Sequence, residues 1–162
     1  MPPGVRKLVL TAHIATSVGW LGAVAAYLAL DVTAAVSHDQ QLVRGLYAAM
    51  RVMAFYAIVP LALTSVVIGI VNALGTRWGL LRHYWVLTKL VLTLLATAVL
   101  LGETQTIGYL ADAAASGADP RELPSTLVHS IGGLAVLLIV LVLSVYKPRG
   151  LTRYGWRKQQ RP

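Results

Sequence analysis

The chain carries four histidines, His13, His38, His83 and His129, and no cysteine. A neutral imidazole ligates a metal or a haem iron through one ring nitrogen, and it transfers protons near neutral pH. The lack of thiols excludes disulfides, thiolate metal sites, iron–sulfur clusters and covalent c-type haem attachment. Lys89, Arg51 and Glu103 join the histidines as groups whose chemistry depends on where they sit. His13 and Lys89 interrupt long apolar runs, and His129 lies shortly after the start of another. An ionisable group in such a run is a functional-site candidate by default, because no water is there to solvate it.

Each candidate also has a plainer reading. His13 has Thr11, Thr16 and Ser17 nearby, and His129 has Ser125, Thr126 and Ser130. Either imidazole could ligate a haem or metal, pass a proton, or hydrogen-bond a neighbouring hydroxyl and hold helices together. Lys89 could act on a substrate or snorkel to the interface. Arg51 could snorkel or pair with an acid. His38 reads as a solvated loop residue, and His83, directly after Arg82, as an interfacial one.

The elements that position these groups are membrane helices. The 162 residues are 57% hydrophobic and 12% charged, whereas a soluble domain carries about 25% charged residues. Leu8–Leu30 and Val52–Thr76 are free of formal charge, Tyr84–Gly102 is interrupted only by Lys89, and Leu123–Tyr146 is nearly as clean. Each approaches or exceeds the roughly 20 residues that cross a bilayer. The expected fold is all-α: one domain, 1–162, an antiparallel up-down bundle of four transmembrane helices near 6–34, 42–75, 83–110 and 123–147. Pro60 predicts a kink in the second span. Gly19, Gly22, Ala23 and Ala26 predict close helix contact on the first, as Gly132 and Gly133 do on the fourth. Asp112–Pro124 reads as an external loop.

Charge sets the orientation. Arg6, Lys7, Arg77, Arg82, Lys147, Arg149, Arg153, Arg157, Lys158 and Arg161 fall on one side of a four-span chain. Only Arg44, Arg51 and Arg121 fall on the other, together with all six acids. The positive-inside rule then places both termini in the cytoplasm. The aromatic residues Trp78, Tyr84, Trp85, Tyr146, Tyr154 and Trp156 gather at that same end as an interfacial belt. The net charge of +8 therefore reads as a topology signal with anionic lipid as its partner, and not as a nucleic-acid surface.

Depth along these helices sorts the polar groups into two layers. His13 and Lys89 both lie roughly 8 Å in from the cytoplasmic end, with His83 and Arg82 at the rim. His129, Glu103 and Arg51 sit at matching depth near the opposite end, with His38 beyond them. Cofactor sites in four-helix proteins are built this way, from side chains on facing helices. Haem b suits such a bundle: its ring is apolar, its iron takes an imidazole, and its propionates take cations at the membrane edge. His13 or His129 would ligate the iron, Gly133 would leave room for the flat ring, and Trp20, two turns after His13, would pack on its edge. Arg6, Lys7, Arg82 or His83 would hold propionates.

The run His13–Ile14…Gly19–Trp20–Leu21–Gly22 resembles the opening helix of a group of small bacterial membrane proteins. That group includes copper-resistance-D-like proteins and the haem-b membrane protoporphyrinogen oxidase. Arg82–His83–Tyr84–Trp85–Val86–Leu87–Thr88–Lys89–Leu90 is similar to that oxidase's third helix, and Leu143–Ser144–Val145–Tyr146–Lys147–Pro148 to its ending. An actinobacterial four-helix family shares an ending like Val145–Tyr146–Lys147–Pro148–Arg149–Gly150–Leu151–Thr152. The resemblance implies a haem-b membrane protein with His13 as axial ligand and Lys89 as a functional, catalytic lysine. The fourth span departs from the oxidase, with Pro124–Ser125–Thr126–Leu127–Val128–His129 where the oxidase has an Arg-Asn-Glu-Pro-like element.

Four functions compete at this point. The first is a haem-b protein that transfers electrons or senses redox state, with cofactor contacts from His13, His129, His83, Trp20 and Arg51. The second is a haem-dependent oxidoreductase acting on a porphyrinogen or quinone through Lys89. The third is a metal-handling or transporter subunit using His129, Glu103 and Asp31. The fourth is a structural partner of a larger complex, and a homo-oligomer is compatible with any of them.

Overall fold

The computed structural model describes residues 1–75, 79–118, 122 and 125–160. Thr76, Arg77, Trp78, Asp119, Arg121, Leu123, Pro124 and Arg161, named above for topology, belt, span or motif, lie outside the described residues. The fold is all-α. Its helices are α1 (Pro3–Val36), α2 (Gln40–Met53), α3 (Val59–Leu74), α4 (Tyr84–Ala115), α5 (Leu127–Tyr146) and α6 (Arg153–Gln159). A π-helical turn, Ala54–Ile58, joins α2 to α3, so Gln40–Leu74 forms one span. With α1, α4 and α5 this makes four helices long and apolar enough to cross a membrane.

Local chemistry sets the helix ends. α1 opens with Pro3 in its first turn, where the missing N–H costs nothing. It runs to Val36, past Asp31, because the turn signal is at Ser37–His38–Asp39. There the Asp39 carboxylate accepts from Gln41 N (2.9 Å) and Leu42 N (3.3 Å) and starts α2. Pro60 acts on the helix through the π turn directly before it. Proline offers no N–H and crowds the carbonyl four residues back, and the wider turn accommodates both. α4 continues to Ala115, so Asp112–Ala115 is helix and not loop. Alanine is the best helix former, and Leu110, Ala111 and Ala114 are buried.

α1 and α4 each pack against both α5 and the second span, so they occupy opposite corners of the bundle. Many large apolar side chains, among them Val18, Tyr56, Val67, Leu95, Val128 and Val142, face outward. A water-soluble protein would bury that much apolar surface, whereas a bilayer accepts it. The protein is therefore a multi-pass membrane protein. Its buried core, centred on Trp20, Tyr27, Tyr47, Met50, Ile107 and Leu110, is concentrated in the half remote from the termini.

At the terminal end, the chain after α5 folds back over the α3–α4 link. Lys147 caps α5 in a left-handed conformation (φ 45°). Gly150 O then accepts from Tyr84 N (3.3 Å), and Thr152 N donates to Arg82 O (2.9 Å). The Thr152 hydroxyl donates to Leu81 O (2.6 Å) and accepts from Gly155 N (3.1 Å), capping the short α6. A Cβ on Gly155 would fall 2.3 Å from Arg82 O, so only glycine allows this approach.

Candidate functional site

The two polar layers are both present, and they are built differently. In the layer near the termini, the His13 imidazole lies on the α1–α3 seam over Gly69. A Cβ at Gly69 would come within 2.8 Å of the ring's Cε1. Two of the hydroxyls expected to hold His13 are engaged elsewhere. Thr16 donates to its own helix at Ala12 O (2.9 Å), and Ser17 pairs with Ser65 of α3 (2.8 Å). His13 Nδ1 is buried and has no hydrogen-bond partner among the described residues. Lys89 is within electrostatic reach of His13. Its ammonium lies 5.7 Å from the centre of the Trp85 ring, one turn nearer the helix start, as a snorkelling lysine does. His83 precedes α4 and pairs with Leu151 as an isolated bridge, its ring 6.5 Å from that of Trp85.

The remote layer surrounds a cavity of about 260 Å³ at the centre of the bundle. α1 contributes Trp20, Val24 and Tyr27, α4 contributes residues from Leu95 to Ile107, and α5 contributes residues from Val128 to Leu137. Leu95 and Val99 of α4 and Val128 and Gly132 of α5 line the cavity and are also exposed, so it opens sideways between those two helices. Over α4 its lining runs from Leu95 to Ile107, roughly 18 Å of helix. The shape is a tall slot. Gly132 and Gly133 leave its α5 wall bare: a Cβ on Gly132 would meet nothing within 4 Å, and one on Gly133 only Val24 at 4.0 Å. Of the small-residue contacts expected on both spans, Gly19 against Leu61 (3.4 Å) is a close one, whereas these two glycines border open space.

Polar groups collect at the remote end of the slot. His129 Nδ1 stands 3.5 Å from Glu103 Oε1, which links α5 to α4. Asp31, 2% exposed, accepts from Thr126 Oγ1 (3.0 Å) and Ser130 Oγ (2.9 Å), which links α1 to α5. Two hydroxyl donors are what a buried carboxylate needs in place of water. The Tyr27 hydroxyl is buried among Thr126, Asp31, Tyr47 and Glu103. Thr126 beside it donates to Asp31 and keeps its oxygen lone pairs for the Tyr27 hydroxyl, so Tyr27, Thr126 and Asp31 form one polar chain.

The structure brings together His129, Glu103 and Trp20, all lining the slot. His13 and Lys89 approach each other in the other half. Arg51 stands apart, bonded to Asp112 (2.6 Å) on an exposed surface, which selects the acid-pairing alternative for this residue. His38 sits in the α1–α2 link with Nδ1 3.2 Å from Val36 O. Among the described residues, no three His, Asp or Glu side chains converge as a metal-binding set. Tyr27 was not expected as a site residue, and Asp31 was expected only at the external face. For Asp31 the signal was the Ser37–His38–Asp39 turn, which carries α1 beyond it; the sequence held no such signal for Tyr27. Comparison with protein-family models, with curated proteins and with solved structures finds no match for this chain.

Proposed function

We propose that the chain is a haem-b-binding protein of the bacterial plasma membrane with a redox role, its termini in the cytoplasm, and that the slot is the cofactor's seat. One observation carries this reading: an imidazole on the wall of a tall, apolar, lipid-open slot, one turn from two adjacent glycines. The described lining offers an imidazole and a bare helix wall for the group and no lysine or arginine for its propionates. His129 Nδ1 stands 3.5 Å from Glu103 Oε1, so its other ring nitrogen would be the one to hold the iron, in the usual pattern of a metal-bound histidine oriented by a carboxylate. Gly132 and Gly133 admit a flat ring against the helix backbone, and Trp20 supplies an aromatic edge. When bound, haem b supplies one-electron chemistry at its iron. The protein's own residues orient the imidazole, exclude water and open the seat toward lipid. The resemblance of the chain's helices to haem-b membrane proteins supports the same reading.

The resemblance assigns the ligand to His13, and the unpartnered Nδ1 of His13 favours that second assignment. Purified protein from haem-replete cells separates them. The reading expects a Soret band that His129→Ala abolishes and His13→Ala retains. The opposite pattern moves the ligand to His13, and colourless wild-type protein that added haemin does not reconstitute overturns the function itself.

A further inference from the structure

The charge of the slot limits what it can hold. Its described lining carries one carboxylate, Glu103, one imidazole, His129, and no lysine or arginine. The Glu103 side chain is 21% exposed, and its contact with His129 Nδ1, at 3.5 Å, is longer than an ordinary N–H···O bond of about 2.7–3.2 Å. A carboxylate has lone-pair sites for about four donors, so this contact leaves most of them open. The hydroxyls at the same end are spent within the protein: Tyr27 on Thr126, and Thr126 and Ser130 on Asp31. The charged group left to meet a ligand is therefore an acceptor. A carboxylate shielded from water is costly unless a counter-charge and a donor reach it. The other walls are apolar, with Trp20 roughly 10 Å from Tyr27 along α1, and the slot opens between α4 and α5 toward lipid. The ligand that complements this lining has an apolar body and a cationic, hydrogen-bond-donating head. It carries no anion, which excludes a phospholipid, since the phosphate would meet no lining cation.

We propose that the slot binds a lipophilic amine, a single apolar chain bearing a protonated amino group, with the ammonium on Glu103 and the chain along Gly132, Gly133 and Trp20. The amine enters from the bilayer between α4 and α5. Charge-assisted hydrogen bonding to Glu103 selects the head, and the bare α5 wall accepts the chain. The inference goes beyond the haem reading and does not rest on it. The two ligands exclude each other from the slot, and an iron held at His13 leaves the slot free.

The test uses the full chain, produced without added haemin, in nanodiscs of phosphatidylcholine, with empty discs of the same lipid as the blank. Dodecylamine at neutral pH is the probe, followed by calorimetric titration. Saturable binding of one amine per chain is expected. Dodecanoate and dodecanol are expected to show none, and dodecyltrimethylammonium, which has the charge but no N–H, to bind more weakly. Glu103→Gln is expected to weaken dodecylamine binding about tenfold or more, the worth of a hydrogen bond to a charged group. Gly132→Leu, which fills the slot and leaves Glu103 in place, is expected to abolish it. Dodecylamine uptake no greater than that of empty discs overturns the inference, as does equal affinity for dodecanoate or unchanged affinity in Glu103→Gln. The ligand series is read on the wild-type chain, so it decides the matter even where a variant fails to fold. Because no haemin is present, a missing Soret band bears on the haem reading alone.

Discussion

At the scale of single residues, the best-defined polar group is Asp31. Its carboxylate is almost fully buried and holds Thr126 and Ser130 at the start of α5. Removing it leaves the buried Thr126 hydroxyl without this acceptor, while Ser130 can still donate to Leu127 O (3.0 Å), at a cost of about 1–3 kcal/mol. Asp31→Ala should therefore lower the unfolding midpoint in detergent clearly, whereas Asp31→Asn, which keeps an acceptor oxygen, should recover most of the loss. Arg51 provides the contrast. Its ion pair with Asp112 is short but exposed on both sides, and such pairs contribute about 0–1 kcal/mol. Arg51→Ala is expected to move the midpoint little, and a large drop would show that the pair is shielded by more than the bundle itself. The depth argument correctly matched Glu103 with His129 and His13 with Lys89, because rise per residue is a fixed property of helices. It could not find the Tyr27 hydroxyl, since which face of α1 turns inward depends on packing against three other helices.

At the scale of elements, the α3–α4 link and the chain after α5 act as one unit. The segments Arg82–His83–Tyr84 and Gly150–Leu151–Thr152, far apart in sequence, meet through two backbone hydrogen bonds, which make the His83–Leu151 bridge, and through the Thr152 hydroxyl. Both belong to the motifs on which the family resemblance was drawn, and here they have a structural role independent of any cofactor. Gly155→Ala forces a methyl group against the Arg82 carbonyl and should detach the segment. Limited proteolysis from the terminal side is the direct measurement, with faster cleavage after residue 147 expected in the variant. The four spans were legible because length and apolarity suffice to place them. Their ends were not, because caps and alanine runs decide those. α6 was missed for another reason: seven residues carry too little periodicity to be recognised, and it exists through the Thr152 cap and its docking on Arg82.

For the whole molecule, the distribution of packing is as informative as the charges. The buried core lies in the half remote from the termini, where the slot and its polar end are also found. The other half holds His13, the Ser17–Ser65 pair and Lys89, with few fully buried neighbours. Fusion reporters at residue 160 and in the 37–39 link should report opposite sides of the membrane, the former cytoplasmic. The reverse result would separate the positive-inside rule from this chain. The lateral opening between α4 and α5 has a further effect on how any binding measurement must be read. A molecule that enters there arrives by partitioning into the bilayer and diffusing in two dimensions, so its occupancy follows its mole fraction in lipid. Doubling the detergent or vesicle content at constant total ligand would halve the apparent saturation of a strongly partitioning compound, and leave that of a water-soluble one almost unchanged.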